Sequence, residues 1–65
     1  MVTYREFILL FNTEIYFDDI RSKCTPRFNV KGLLIGITLD SVLIRERNEF
    51  TSWFPINSNF ITWHI

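Results

Sequence analysis

Gly32-Leu-Leu-Ile-Gly-Ile-Thr-Leu-Asp-Ser-Val-Leu-Ile-Arg-Glu-Arg47 decides the fold. Two apolar runs flank Asp40-Ser41, a pair suited to a tight turn. A third run, Phe50–Ile56, follows Asn48-Glu49, and a fourth, Phe60–Ile65, follows Asn57-Ser-Asn59. Apolar runs joined by so few residues pair as antiparallel neighbours, which makes a meander. The first of them extends back to Asn29. Val30 and Leu34 share one face of it with Gly32 and Gly36, and Leu33, Ile35, Ile37 and Leu39 share the other. A strand that is apolar on both sides and carries two glycines is expected to bend and to serve the core from both faces.

The later strands alternate more simply. Over 42–47, Val42 and Ile44 oppose Leu43, Arg45 and Arg47. Over 50–56, Phe50, Ser52, Phe54 and Ile56 oppose Thr51, Trp53 and Pro55, and the proline, which cannot donate to a ladder, marks an edge. Over 60–65, Ile61, Trp63 and Ile65 oppose Phe60, Thr62 and His64.

Upstream, Thr3-Tyr-Arg-Glu6 has the spacing of a capping box. Tyr4, Phe7, Ile8 and Phe11 follow at helical spacing, so a short helix is expected over 4–11, held down by Phe7 and Phe11. Asn12 is a suitable stop. A strand follows over 14–21, with Ile15 and Phe17 on its inner face. Ile20 reaches that face only if the ladder carries a bulge near Asp18-Asp19. Successive strand residues point to opposite faces, so these two aspartates are read as a solvated edge rather than as a paired site.

Sixty-five residues make one domain, 1–65. A chain of that length buries only about 60% of the surface its unfolded form exposes. Its 48% hydrophobic and 17% aromatic content exceeds what a core of that size can hide, which points to oligomerisation. Cys24 is the only cysteine, so no intrachain disulfide can form. One Cys and one His do not make a tetrahedral metal set, and no cofactor motif is present. The lone thiol suits a reducing compartment. No apolar run reaches membrane-spanning length, and Arg5 and Glu6 interrupt any signal-like segment. The expectation is a cytoplasmic protein that does not enter a membrane.

Seven Lys/Arg balance seven Asp/Glu, so a strongly basic nucleic-acid binder is disfavoured overall. Locally the balance breaks: Arg21, Lys23, Arg27 and Lys31 stand in a stretch from Arg21 to Leu39 that holds no acidic residue. Arg and Lys bind phosphate by charge and forked hydrogen bonds, which makes these four the candidate ligand-binding residues. Arg45 and Arg47 are further cations, with Glu46 and Glu49 beside them. Phe50, Trp53, Phe54, Phe60 and Trp63 are the candidate interface residues. His64 and Cys24 have no recognisable partner for acid–base or nucleophilic work, so no catalytic activity is expected.

A helix followed by a five-strand meander with a long bent second strand resembles the Sm/Hfq-like small barrel. Val30-Lys-Gly32-x-Leu34 resembles that family's first motif. Phe54-Pro-Ile56, a short turn and Phe60-Ile-Thr-Trp63 are closer to a group of small bacterial Sm-like proteins of unknown function. The resemblance spans Tyr4 to Ile65. It implies a mainly β fold, a strongly bent antiparallel SH3/Sm-like barrel, and a ring in which strand four of one copy pairs with strand five of the next. The family's acidic and asparagine pocket positions hold Thr38 and Val42 here, and the Hfq Tyr-Lys-His turn is replaced by Phe54-Pro-Ile56. The expected function is therefore a non-catalytic oligomer binding RNA or a nucleotide-like anion. The alternatives are a protein-interaction module, such as a small phage- or plasmid-type inhibitor of a host protein, or a ring that sequesters a signalling nucleotide.

Overall fold

The computed structural model describes residues 2–65. One helix, α1 (Tyr4–Leu9), precedes five strands: β1 (Glu14–Asp19), β2 (Arg27–Ile37), β3 (Ser41–Glu46), β4 (Thr51–Pro55) and β5 (Ile61–His64). All five form one antiparallel sheet in the order β4-β3-β2-β1-β5. The sheet is open. β5, expected to close a barrel, pairs with β1 alone.

The capping box forms as the spacing predicts. The Glu6 amide donates to the Thr3 hydroxyl, and the Glu6 carboxylate accepts from the Thr3 amide at 3.2 Å. The helix is two residues shorter than expected, and Phe7 alone is buried from it; Phe11 and Ile8 stay half exposed. Asn12 takes the left-handed conformation (φ 68°). This turns the chain so that the Asn12 amide donates to the Leu34 carbonyl at 2.8 Å and the Leu34 amide to the Thr13 carbonyl at 3.1 Å. The helix is thereby fastened to the middle of β2. A helix of six residues has no independent stability, and burying Phe7 supplies about 1.5–3 kcal/mol toward holding it.

β2 carries two bulges. Phe17 faces Val30 and Asp19 faces Arg27, so the extra residue lies on β2, at Phe28-Asn29, with Asn29 at φ 55°. The irregularity stands where the sequence suggested, but on the other strand. β1 therefore keeps its alternation: Asp19 turns inward, and Ile20, expected there, is exposed. The second bulge lies at Ile35, between the pairs Leu34–Ile44 and Gly36–Leu43. It reverses the parity of β2, so Gly36 leaves the face it was expected to share with Leu34, and Ile37 packs against the core instead.

Gly32 stays on the inner face. A Cβ there would overlap Ile44 Cγ2, so strands β2 and β3 could not close at this point around any larger residue.

The inner face holds one core: Phe7, Ile15, Phe17, Leu34, Val42, Ile44, Phe54, Ile56 and Ile61. Phe54 from β4 and Trp63 from β5 sit on opposite margins of the sheet, yet their ring centroids are 6.4 Å apart. Phe17 lies between them at 4.8 Å and 5.1 Å, and Phe7 meets Trp63 edge to face at 5.0 Å. The sheet curls until side chains from its two margins meet, while their backbones stay apart.

Candidate functional site

The four basic residues singled out from the sequence do not converge. Asp19, only 8% exposed, accepts from Arg21 Nε at 2.9 Å and Nη2 at 3.0 Å. Arg27 Nη2 stands 3.7 Å from the same carboxylate and forks onto Glu46 at 2.7 Å and 3.2 Å. Arg21, Asp19, Arg27 and Glu46 thus form a chain of charge that ties β1, β2 and β3 together. The Arg21 hydrogen bond holds the Asp19 carboxyl below the usual carboxylate range, and the Glu46 hydrogen bond raises Arg27. The Arg21 guanidinium also covers the Phe54 ring at 4.9 Å, a cation–π contact. Asp19 is therefore a buried counter-ion, not the solvated edge expected of it. Its alternation with Phe17 pointed inward, but nothing in the sequence placed two arginines around it. Lys23 is exposed in the loop and has no ion pair among the described residues.

Lys31 belongs to another surface. It lies on the outer face, opposite Tyr16, with Nζ 3.0 Å from Glu14; this hydrogen bond raises its pKa. Tyr16 in turn faces His64. The β2–β3 register ends at Gly32 opposite Glu46, and Arg47 follows in the turn, where it lines the same cleft as Lys31. His64, Tyr16 and Lys31 make one row across the outer face, with Arg47 in the turn beyond it. Arg45 is in the next row, opposite Leu33, with Glu49 at 3.8 Å. A cleft of about 640 Å³ opens over Leu33, lined by Lys31, Arg45 and Arg47 and by Glu14, Glu46 and Glu49. Alternation along β3 gives the outward direction of Arg45. The turn that brings Arg47 to the same cleft as Lys31 is not visible in the sequence.

His64 Nε2 lies 3.1 Å from Asp18 Oδ2, and Asp18 Oδ1 accepts the Asn29 amide at 2.7 Å. The Asn29 amide, then His64, lower the Asp18 pKa. Asp18 thus fixes the first bulge of β2 and steadies β5.

The candidate interface residues divide as well. Phe54 is 1% exposed and belongs to the core. Trp63 is half-buried; its indole N–H is enclosed and has no acceptor among the described residues. Phe50, Trp53 and Phe60 are 67%, 52% and 58% exposed. They lie in or beside the two margin strands. Which backbone groups those margins present follows from the alternation of antiparallel pairs. The Glu46 amide donates to the Phe50 carbonyl and the Ile56 amide to the Asp40 carbonyl. Phe50, Ser52, Phe54 and Ile56 hence face β3, and Thr51, Trp53 and Pro55 face outward. The Ile20 amide donates to the Phe60 carbonyl. Phe60, Thr62 and His64 hence face β1, and Ile61, Trp63 and Ile65 face outward. Pro55 puts its missing N–H on the free margin, where it costs no ladder bond.

Among the described residues no cluster of His, Cys, Asp or Glu is arranged to hold a metal ion, and no helix is long and apolar enough to cross a membrane. Comparison of the chain with protein-family models, with curated proteins and with solved structures finds no match.

Proposed function

We propose that this chain is a non-catalytic, self-assembling small-barrel protein of Sm-like type. Its copies join through β4 and β5, and the assembly binds a phosphate-bearing ligand, RNA or a nucleotide. The observation that carries the reading is the pair of free margins, each presenting unpaired backbone groups beside large exposed aromatics.

The margins are complementary in register. With Trp53 of one copy opposite Trp63 of the next, Thr51 falls opposite Ile65 and Pro55 opposite Ile61. Pro55 has no N–H to give, and the Ile61 amide already donates to Ser58 O at 3.4 Å. The position that cannot pair on one strand thus meets the position already occupied on the other. Directly opposed residues of an antiparallel pair project to the same face. Trp53 lies on the outer face and Trp63 on the inner one, so the joined sheet turns over at the seam. Trp53 is then placed beside Trp63 of the next copy.

Light scattering tests the assembly, with Trp53→Lys as the variant. A lysine on an edge strand blocks pairing, and Trp53 contributes nothing to the buried core. The wild-type chain is expected to run as a multimer and the variant as a folded monomer. A wild-type monomer at the highest attainable concentration refutes the assembly.

A heterologous protein partner is favoured by a separate observation. Ile8, Leu9 and Phe11 expose apolar surface on α1 and its following turn. A wild-type monomer would make that surface the leading candidate for contact.

A further inference from the structure

At the β2–β3 junction, Lys31 and Arg47 are like charges lining one cleft, and the nearby Arg47 disfavours the charged form of Lys31. Glu14 relieves Lys31, but Arg47 has no carboxylate within ion-pair distance among the described residues. Glu46, the nearest acid in sequence, is turned inward and held by Arg27. Glu14 and Glu49 also line the cleft; both are exposed, and they stand 3.0 Å from Lys31 and 3.8 Å from Arg45. Three cations and three carboxylates thus line the cleft, but the Glu46 charge is matched by Arg27 outside it, which leaves Arg47 as the cation without a paired carboxylate among the described residues.

We infer that this cleft and the Tyr16 ring beside it bind single-stranded nucleic acid, with a phosphate seated between Lys31 and Arg47. The inference rests on the proposed phosphate-bearing ligand and moves its site from the Arg21–Arg27 loop to the outer face of the sheet. Charge complementarity selects the ligand class. Arg47 and Arg45 supply forked donors to phosphate oxygens, and Lys31 supplies a point charge. Tyr16, 40% exposed and adjacent to Lys31 in the row, offers a ring on which a base stacks. Leu33 gives the cleft an apolar floor. A duplex presents its phosphates on two strands and hides its base faces, so it cannot use the tyrosine and the cleft together. Arg21 and Arg27, in contrast, are committed to Asp19 and Glu46.

The test is fluorescence anisotropy with a labelled mixed-sequence single-stranded RNA of about 12 nucleotides, titrated at several salt concentrations. The proteins are the wild-type chain, Arg47→Ala, Tyr16→Ser and Lys23→Ala, each checked by circular dichroism for an unchanged fold. Arg47→Ala is expected to reduce the slope of log affinity against log salt by about 0.7, one phosphate contact on a single strand. Tyr16→Ser is expected to weaken binding roughly 5- to 150-fold, the loss of one stacked base. Lys23→Ala, in the loop, should bind as the wild type does. If the wild type binds and Arg47→Ala and Tyr16→Ser bind equally well, the site is refuted while the phosphate-ligand reading stands. Duplex RNA binding as tightly as the single strand also refutes it. No binding by the wild type at low salt removes both the site and the nucleic-acid ligand, and leaves the assembly untouched.

Discussion

Replacing Gly32 with alanine should destabilise the protein, although glycine-to-alanine changes in strands usually help. The backbone at Gly32 does not need glycine's freedom, since no glycine in the described chain has positive φ. On backbone grounds alone, alanine would gain about 0.4–1 kcal/mol by restricting the unfolded chain. The space decides otherwise. The added methyl would overlap Ile44 Cγ2, with Arg45 O at 3.5 Å and Ile44 Cβ at 3.7 Å behind it. Ile44 is fully buried and pressed into the core, so it cannot swing away. Overpacking of this kind costs about 1–3 kcal/mol. The net loss is then about 1–2 kcal/mol, or a fall in Tm of roughly 5–15 °C for a domain of this size. Thermal and urea unfolding followed by circular dichroism reads it directly. The clash also predicts a specific rescue. Ile44→Ala removes the obstructing Cγ2, so the double variant should be more stable than the sum of the single losses allows, by about 1 kcal/mol. Ile44→Val keeps two methyls on Cβ and should rescue little. An unchanged or raised Tm for Gly32→Ala, or strict additivity with Ile44→Ala, would refute the reasoning.

Asp19 should give the protein acid sensitivity. Its carboxyl is held below the ordinary range, first by the Arg21 hydrogen bond. A lowered folded pKa contributes stability that is fully present above the unfolded value, about 3.9, and is lost as pH falls through the folded value. Tm should therefore be flat near neutrality and fall below about pH 4, and Asp19→Asn should flatten that fall after costing about 1–2 kcal/mol at pH 7. An equally steep acid limb in the variant would assign the sensitivity to another carboxylate, such as Asp18. At the β3–β4 turn, Glu49 sits at φ 68°, where a side chain is strained and glycine is not. Glu49→Gly should raise stability by about 0.5–1 kcal/mol, since its contact with Arg45 is long and exposed. A lower Tm would show that the turn holds no strain.

The strands were legible wherever one residue decided its own side. Val42, Ile44 and Phe54 alternate with outward neighbours such as Leu43, Arg45 and Trp53, and all three are buried. Thr3 and Glu6 form the capping box because both halves of it are local. What failed depended on a partner strand. Gly36 and Ile37 change faces because of one extra residue at Ile35, and a bulge is set by the strand across from it. Ile20 lost the inner position to Asp19, because a carboxylate enclosed by two arginines is less costly to bury than its residue type suggests. The basic loop looked unopposed in sequence because Glu46 lies 19 positions from Arg27 along the chain. The charge that neutralises it arrives only when β3 folds against β2.

The two margin strands show how a sheet this small relates to its neighbours. Natural proteins protect edge strands with lysines, inward charges, prolines or a covering segment. β4 reads Thr51-Ser-Trp-Phe-Pro55 and β5 reads Ile61-Thr-Trp-His64, so neither carries a lysine or a carboxylate. Pro55 protects one end of β4, and nothing equivalent stands at Trp53 or Trp63. On the sides away from the margins the protections are present: Asp18 and His64 fasten β5 to β1, and Arg27 and Glu46 fasten β2 to β3. Charge has been placed where strands of one chain must hold together and left out where the sheet ends. A monomer selected only to stay apart from its copies would have the opposite arrangement. This distribution fits the proposed assembly through the margins.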